Sequence, residues 1–290
     1  MDTPEIKSIS FNETGFPSML REIPNPPSRI FVLGKLVDEE KLKIAIVGTR
    51  KATSQGCFIA KEIAKKLSET GMVIVSGLAM GIDTAAHEGA LAGNGQTIAV
   101  LACGLDNIYP RQNENLAKKI IETGGAVISE YPLGTEAFKN QFLERNRIVS
   151  GLSIATIVIE APRESGALVT ARLAAEQGRE VFIFPGAVNN PNYYGSHKLI
   201  RDGARLVSSV EDILEDLGID ISINQLNQHK SASIKITDEN QLFILRIIQE
   251  AGKPISIDKI IELTKLEPQI VNQSLALLII QGIIKETEKG

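Results

Sequence analysis

Four short apolar runs in this chain each end in a glycine-bearing turn, and that placement limits the possible folds more than any other feature. Ile44-Ala45-Ile46-Val47 leads into Gly48-Thr49-Arg50, and Met72-Val73-Ile74-Val75 into Ser76-Gly77-Leu78-Ala79-Met80-Gly81. Ile154 to Ile159 leads into Glu160 and then Ser165-Gly166-Ala167, and Val181-Phe182-Ile183-Phe184 into Pro185-Gly186. In an open parallel sheet, the carboxyl ends of the strands border the ligand crevice. Glycine turns along that edge let backbone come close to a ligand. Arg50, Arg145 and Arg147 in the same pattern make an anion the expected ligand.

The rest of the chain fits that sheet. Strand candidates at 43–47, 72–75, 97–101, 126–129, 154–159, 180–184 and 205–207 alternate with helix candidates near 54–69, 82–92, 112–123, 166–177 and 209–217. Such alternation calls for βαβ crossovers in an α/β, doubly wound, mostly parallel sheet over residues 41–217. Gly71 and Gly178 fall where helix C-terminal turns are expected. Residues 1–40, with Pro24, Pro26, Pro27 and a strand-like Ile30-Phe31-Val32-Leu33, read as an N-terminal extension packing on the core. Residues 218–236 are polar and read as a linker. Residues 237–290 form a smaller unit. Its first helix starts at Thr237-Asp238-Glu239, two more lie near 257–264 and 268–281, and a strand at Ile283-Ile284-Lys285-Glu286 completes a winged-helix layout.

A formal net charge of −4 over 290 residues argues against a generally basic nucleic-acid coat, though not against a local basic groove. Residues 41–217 carry equal numbers of acidic and basic side chains, and residues 237–290 are net acidic. The segment 268–281 has no Lys or Arg, so it lacks the donors a DNA-reading helix needs; a protein contact or core packing suits it better. Cys57 and Cys103 sit in apolar contexts and read as buried thiols, and the three histidines lack metal-ligand spacing. The glycine turns match neither the dinucleotide fingerprint nor the phosphate loop of nucleotide triphosphatases, so no cofactor is expected. With no signal peptide or membrane span, a cytoplasmic location is expected.

Gly48, Thr49 and Arg50, with Ser54 and Gly56, form the first candidate anion cradle at a strand-to-helix turn. Ser76, Gly77 and Ala79 form a second. Asp83 there can cap the next helix, and His87, four residues on, is either its acid/base partner or a satisfied histidine against the sheet, the second being favoured. The stretch Phe142 to Gly151 reads as a short basic segment before a core strand. Arg145 and Arg147, two apart, cannot share a helix face, so one points to phosphate and the other to Glu144 or Glu130. Lys139 and Phe138 upstream offer a cation and a stacking ring, the usual pairing for single-stranded nucleic acid. Ser165, Gly166 and Leu168 open a third cradle, and Pro185-Gly186 with Gly195-Ser196-His197 close the far side of the crevice. Any one of these turns also serves as a plain helix cap; their order behind successive strands carries the argument.

Together these residues resemble the DprA/Smf family of bacterial DNA-processing proteins over about residues 20–217. The matching runs are Ile44 to Arg50, Ser76 to Asp83, Ala86-His87, Gly104 to Pro110, Ser129-Glu130-Tyr131-Pro132, Arg145-Asn146-Arg147-Ile148, Ser165 to Leu168, and Pro185-Gly186. The resemblance implies an extended Rossmann-like domain that binds single-stranded DNA in a positive pocket. It further implies homodimerisation and loading of the RecA recombinase onto DNA coated with single-strand-binding protein, in natural transformation and recombination. By position, that pocket uses Gly48, Thr49, Arg50, Ser76, Gly77, Ala79, Lys139, Arg145, Asn146, Arg147, Ser165, Gly166 and Leu168. The family usually has Phe-Pro just before Arg-Asn-Arg, where this chain has Phe142-Leu143-Glu144, and Asn is common where His197 stands. About 40 leading residues leave no room for the helical module many relatives carry first. Three or four phosphates held by backbone amides, Arg50, Arg145 and Arg147 predict a log–log salt slope of about −2 to −3 per protomer. Two rival readings are a nucleoside monophosphate hydrolase using Glu160 as its acid, and a nucleotide sensor. The hydrolases' Pro-Gly-Gly-x-Gly-Thr run is missing, since Pro185-Gly186 is followed by Ala187.

Overall fold

The apolar runs pair into a nine-stranded sheet in the computed structural model, which describes residues 5–219, 239–251 and 255–280. In chain order the strands are β1 (Lys7–Ser10), β2 (Arg29–Gly34), β3 (Lys43–Val47), β4 (Val73–Ser76), β5 (Thr97–Leu101), β6 (Ala126–Ser129), β7 (Ala155–Val158), β8 (Glu180–Ile183) and β9 (Arg205–Leu206). They lie in the order β1-β2-β6-β5-β4-β3-β7-β8-β9. From β6 through to β9 every neighbour is parallel, while β2 joins β6, and β1 joins β2, antiparallel. The chain winds outward from β3 in both directions. Strand order therefore reverses between β3 and β7, which pair from Ile44↔Ala155 to Val47↔Val158. This is the doubly wound, Rossmann-like arrangement, and its switch point is where such sheets open a crevice.

Period-two alternation assigns the two faces. Ile44, Ile46, Ile74, Ile157 and Phe182 pack under α2 (Ser54–Glu69), α3 (Ile82–Ala92) and α8 (Val210–Asp216). Ala45, Val47, Val75, Val100, Val158 and Ile183 face α5 (Lys139–Gly151), α6 (Gly166–Glu176) and α7 (Tyr194–Arg201). The N-terminal segment does more than lie on the core. Its β2 extends the sheet, and Phe16, with Leu20 of α1 (Ser18–Arg21) and Ile23, is buried on the α5 side. Helix α2 shows why the pattern was legible: Ala60, Ile63, Ala64 and Leu67 recur at i, i+3, i+4 and i+7, all buried. Thr53 caps it by accepting from the Gly56 N–H at 3.0 Å. Gly71 (φ +89°) and Gly178 (φ +71°) turn the chain just beyond α2 and α6, as expected.

Three expectations change. The helix near 112–123 is α4 (Glu114–Glu122), entered by a tight turn at Arg111–Asn113. The short basic segment at Phe142 to Gly151, which the pattern left without an element, lies in the helix α5, started by Gln141, whose side chain accepts from the Phe138 N–H at 2.6 Å. Its buried face includes Arg145, Asn146 and Ser150, so it shows no apolar stripe. The turn expected at Gly195-Ser196-His197 is the first turn of α7.

The described part of the smaller unit, Asn227–Gly290, contains α9 (Glu239–Ala251), α10 (Ile257–Thr264) and α11 (Pro268–Ile280) around Ile244, Ile260, Val271, Leu275 and Leu278. The expected strand at 283–286, most of the expected linker and residues 237–238 lie outside the described residues. Among those described, no helix is long and apolar enough to cross a membrane.

Candidate nucleic-acid interface

A cleft of about 620 Å³ opens at the switch point, between the loops that follow β3 and β4, the outer turns of α5 and the start of α6. It gathers Gly48, Thr49, Arg50, Gly77, Ala79, Lys139, Arg145, Asn146, Ser165 and Gly166 from the sequence-derived set. Arg50 and Lys139 are exposed at its rim. The Arg50 guanidinium lies over the Phe142 ring, 4.7 Å from its centroid, and Phe142 meets Tyr109 edge-on at 5.7 Å. Phe142, rather than the outlying Phe138, is thus the aromatic wall of the cleft. Its partner Tyr109 carried no local signal, because the two are joined only by the fold.

Four of the expected residues lie elsewhere. Ser54 is exposed on the first turn of α2. Ser76 is buried and donates to the Ile46 carbonyl at 2.7 Å, and Leu168 belongs to the core. Arg147 pairs with Glu130, Nη2 to Oε2 at 2.5 Å, both largely shielded. Of the two carboxylates offered to it by sequence, Glu144 instead accepts from the Tyr131 hydroxyl at 2.7 Å. The split of roles between Arg145 and Arg147 also differs from expectation, because Arg145 is 4% exposed and donates from Nη1 to the carbonyls of Gly77 (2.7 Å) and Val100. Burial pushes its pKa down to about 10, against the raising pull of Asp83, so it stays charged at neutral pH.

The second cradle is filled by the protein itself. One Asp83 oxygen accepts from the N–H groups of Gly77 (3.1 Å) and Ala79 (3.3 Å), so those amides are not free for phosphate. Burial raises the Asp83 pKa, against Arg145 and these two amides. At the helix start itself stands Gly81, with no side chain to cap. Neither Pro185-Gly186 nor Gly195-Ser196-His197 lines the cleft, against expectation. Ser196 Oγ accepts from the Ala161 N–H at 3.0 Å, and the His197 ring lies 3.1 Å from the Gly186 carbonyl. Glu160 is likewise buried outside the cleft, where its carboxylate accepts from the Thr53 N–H (2.9 Å), the Thr53 hydroxyl and Asn192 Nδ2 (3.0 Å).

His87 does not pair with Asp83. Its Nδ1 lies 2.7 Å from Thr97 Oγ1, whose own hydrogen goes to the Ile74 carbonyl, so the ring donates from Nδ1. Burial first, then the charge of Arg145, push its pKa down to about 3. The folded protein therefore refuses a proton that an unfolded histidine accepts below about 6.5. Stability should fall as pH drops through that window, at a slope approaching 1.4 kcal/mol per pH unit from this group (about one proton). Denaturant midpoints from pH 7 to 4.5 check it: His87→Gln should flatten the acid slope by about that amount, and an unchanged slope would refute the assignment.

A sequence model of the family DNA recombination-mediator protein A matches residues 7–218. Protein Smf of Escherichia coli is 43% identical over 217 residues, which are 75% of this chain and 58% of that protein, so the match spans less than two thirds of this relative. Among solved structures, DNA processing protein A of Streptococcus pneumoniae superposes with a TM-score of 0.68 at 40% identity, covering 73% of this chain and 75% of that one. DNA processing protein A of Helicobacter pylori, solved for its single-stranded DNA binding mode, gives 0.65 at 31% identity, covering 73% and 95%. The family match runs from β1 past the end of α8 and takes in every wall of the cleft, so the chain belongs to the DNA recombination-mediator protein A family, the DprA/Smf proteins.

Proposed function

We propose that this chain binds single-stranded DNA in the switch-point cleft without strong sequence preference, acts in the cytoplasm as a homodimer, and promotes loading of the RecA recombinase in natural transformation and recombination. The observation that carries the binding step is Arg50, a solvent-facing cation stacked on Phe142 at the cleft rim. A cation beside an aromatic face suits the phosphate and base of an unpaired strand. The Helicobacter pylori relative's single-stranded DNA binding supports the same ligand here. Dimerisation and RecA loading rest on family membership. A binding rather than an enzymatic role is supported by Glu160, the acid a hydrolase would need, whose carboxylate is engaged by Thr53 and Asn192 away from the cleft. The smaller unit, with no cation on α11, suits a protein contact within a winged-helix layout better than DNA reading.

The geometry lowers the number of cations available to phosphate. Arg147 is held by Glu130, Arg145 by two carbonyls, and Asp83 occupies the amides after β4. Two or three cations, with Arg50 and Lys139 foremost, give a log–log salt slope of about −1.4 to −2 per protomer, shallower than the sequence alone suggests. Binding of labelled oligo-dT across a salt series, beside duplex of equal length, measures it. A flat response, or preference for duplex, would sink the proposal. Arg50→Ala should weaken oligo-dT binding by about 1.5–3 kcal/mol and flatten the slope by about 0.7. Unchanged affinity would remove Arg50 from the contact.

A further inference from the structure

We infer that Glu160 is a positioning residue for DNA binding: buried behind the cleft, it fixes the loop that presents Arg50. The inference rests on the single-stranded DNA reading of the cleft. Glu160 follows β7 at the switch point and takes φ +49°, a left-handed conformation unfavourable for a residue with a side chain. That conformation serves two groups at once. The Glu160 carbonyl accepts from the Thr49 N–H at 2.8 Å, on one side of Arg50. Its carboxylate accepts from the Thr53 N–H and hydroxyl, on the other side. Asn192 closes the frame, with Nδ2 donating to Glu160 Oε2 at 3.0 Å and to the Lys51 carbonyl at 3.2 Å.

Space has been cleared for this carboxylate. A Cβ on Gly56 would lie 2.5 Å from the carboxyl carbon of Glu160. A fully buried carboxylate is unfavourable unless donors surround it, and three converge here. With its carbonyl on Thr49 and its carboxylate on Thr53, Glu160 holds both ends of a five-residue loop whose one cleft-facing cation is Arg50. A loop held at residues 49, 51 and 53 presents Arg50 already ordered, so less conformational freedom is lost when a phosphate arrives. Glu160 thus acts through Arg50 without touching the strand.

A double-mutant cycle tests this on the full chain with oligo-dT. Glu160→Gln removes the charge and puts an amide N–H₂ in place of one acceptor oxygen where the Thr53 N–H, the Thr53 hydroxyl and Asn192 donate, so it loosens the frame while keeping volume. It should weaken binding about tenfold in the wild-type background but less than twofold in Arg50→Ala, and lower the salt slope by the same step as Arg50→Ala. Equal losses in both backgrounds, with the slope unchanged, would mean a general structural role and overturn the inference while leaving the DNA reading intact. Absence of oligo-dT binding by the wild type would overturn the DNA reading and this inference with it, whereas no effect of Arg50→Ala would remove Arg50 from the contact and overturn this inference alone. If Glu160→Gln does not fold, Asn192→Ala removes one side of the frame and keeps the carboxylate with Thr53. It should weaken binding about threefold with the same dependence on Arg50, and independence from Arg50 would overturn the inference.

Discussion

Replacing Arg145 with alanine should destabilise the large unit by about 3–5 kcal/mol, more than any other change to a cleft cation. The guanidinium is almost wholly buried and donates to the carbonyls of Gly77 and Val100. The backbone of Gly77 runs between opposite charges, its carbonyl accepting from Arg145 and its N–H donating to Asp83. Gly77 is fitted to that cation, because a Cβ there would lie 2.6 Å from the guanidinium carbon. Removing the guanidinium leaves two buried carbonyls unpaired, at about 1–3 kcal/mol each, and a buried Asp83 without its cation. These losses overlap, which holds the total near the stated range. Arg145→Met with Asp83→Asn should recover most of the loss, since removing both charges is far milder than orphaning one. Denaturant unfolding of the three proteins decides it. A loss below 1 kcal/mol for Arg145→Ala, or no recovery in the double variant, would show that Arg145 is not tied into the core in this way.

The same residue marks the boundary of what sequence could reveal. Strands β3 to β8 and helices α2 and α3 were legible because their buried positions are apolar and recur with the period of each element, as Ala60, Ile63, Ala64 and Leu67 do. Helix α5 was not, because Arg145, Asn146 and Ser150 form part of its buried face and polar residues read as solvated. Helix α7 was hidden by Gly195-Ser196-His197, which reads as a turn. Gly195 is needed there because a Cβ would lie 2.6 Å from the Ala161 carbonyl. For the cleft, Gly48-Thr49-Arg50 and Lys139 were legible from their places after a strand and beside an aromatic residue. The neutralisation of Arg147 by Glu130 was offered as one of two possibilities, and only the fold selects it. The filling of the Gly77–Ala79 amides by Asp83, and the clamp of Glu160 on Thr53 across 107 positions, depend on side-chain direction, which a strand–turn pattern does not encode.

Gly81→Ala should cost about 3–5 kcal/mol of stability, and unlike the Arg145 change it acts entirely through the backbone. Gly81 opens α3 at φ +82° and ψ −123°, a region that side-chain-bearing L-residues avoid. A Cβ there would lie 2.4 Å from the Thr49 carbonyl oxygen and 2.9 Å from the carbonyl of Arg50, and neither can swing aside as a side-chain end would. The Thr49 carbonyl also accepts from the Ile82 N–H, while the Thr49 N–H is held by Glu160, so the loop after β3 is gripped from both sides. Alanine must therefore strain its own backbone or push the Arg50 loop off its frame. Gly178→Ala separates the two effects. Gly178 also has positive φ, but nothing lies within 4 Å of its Cβ position, so only the left-handed penalty of about 1–2 kcal/mol remains. Equal losses in the two variants would show that the contact with Thr49 does not matter. The expected excess in Gly81→Ala, accompanied by oligo-dT binding weakened toward that of Arg50→Ala, would show that the turns after β3 and β4 hold each other in place and that Arg50 depends on their fit.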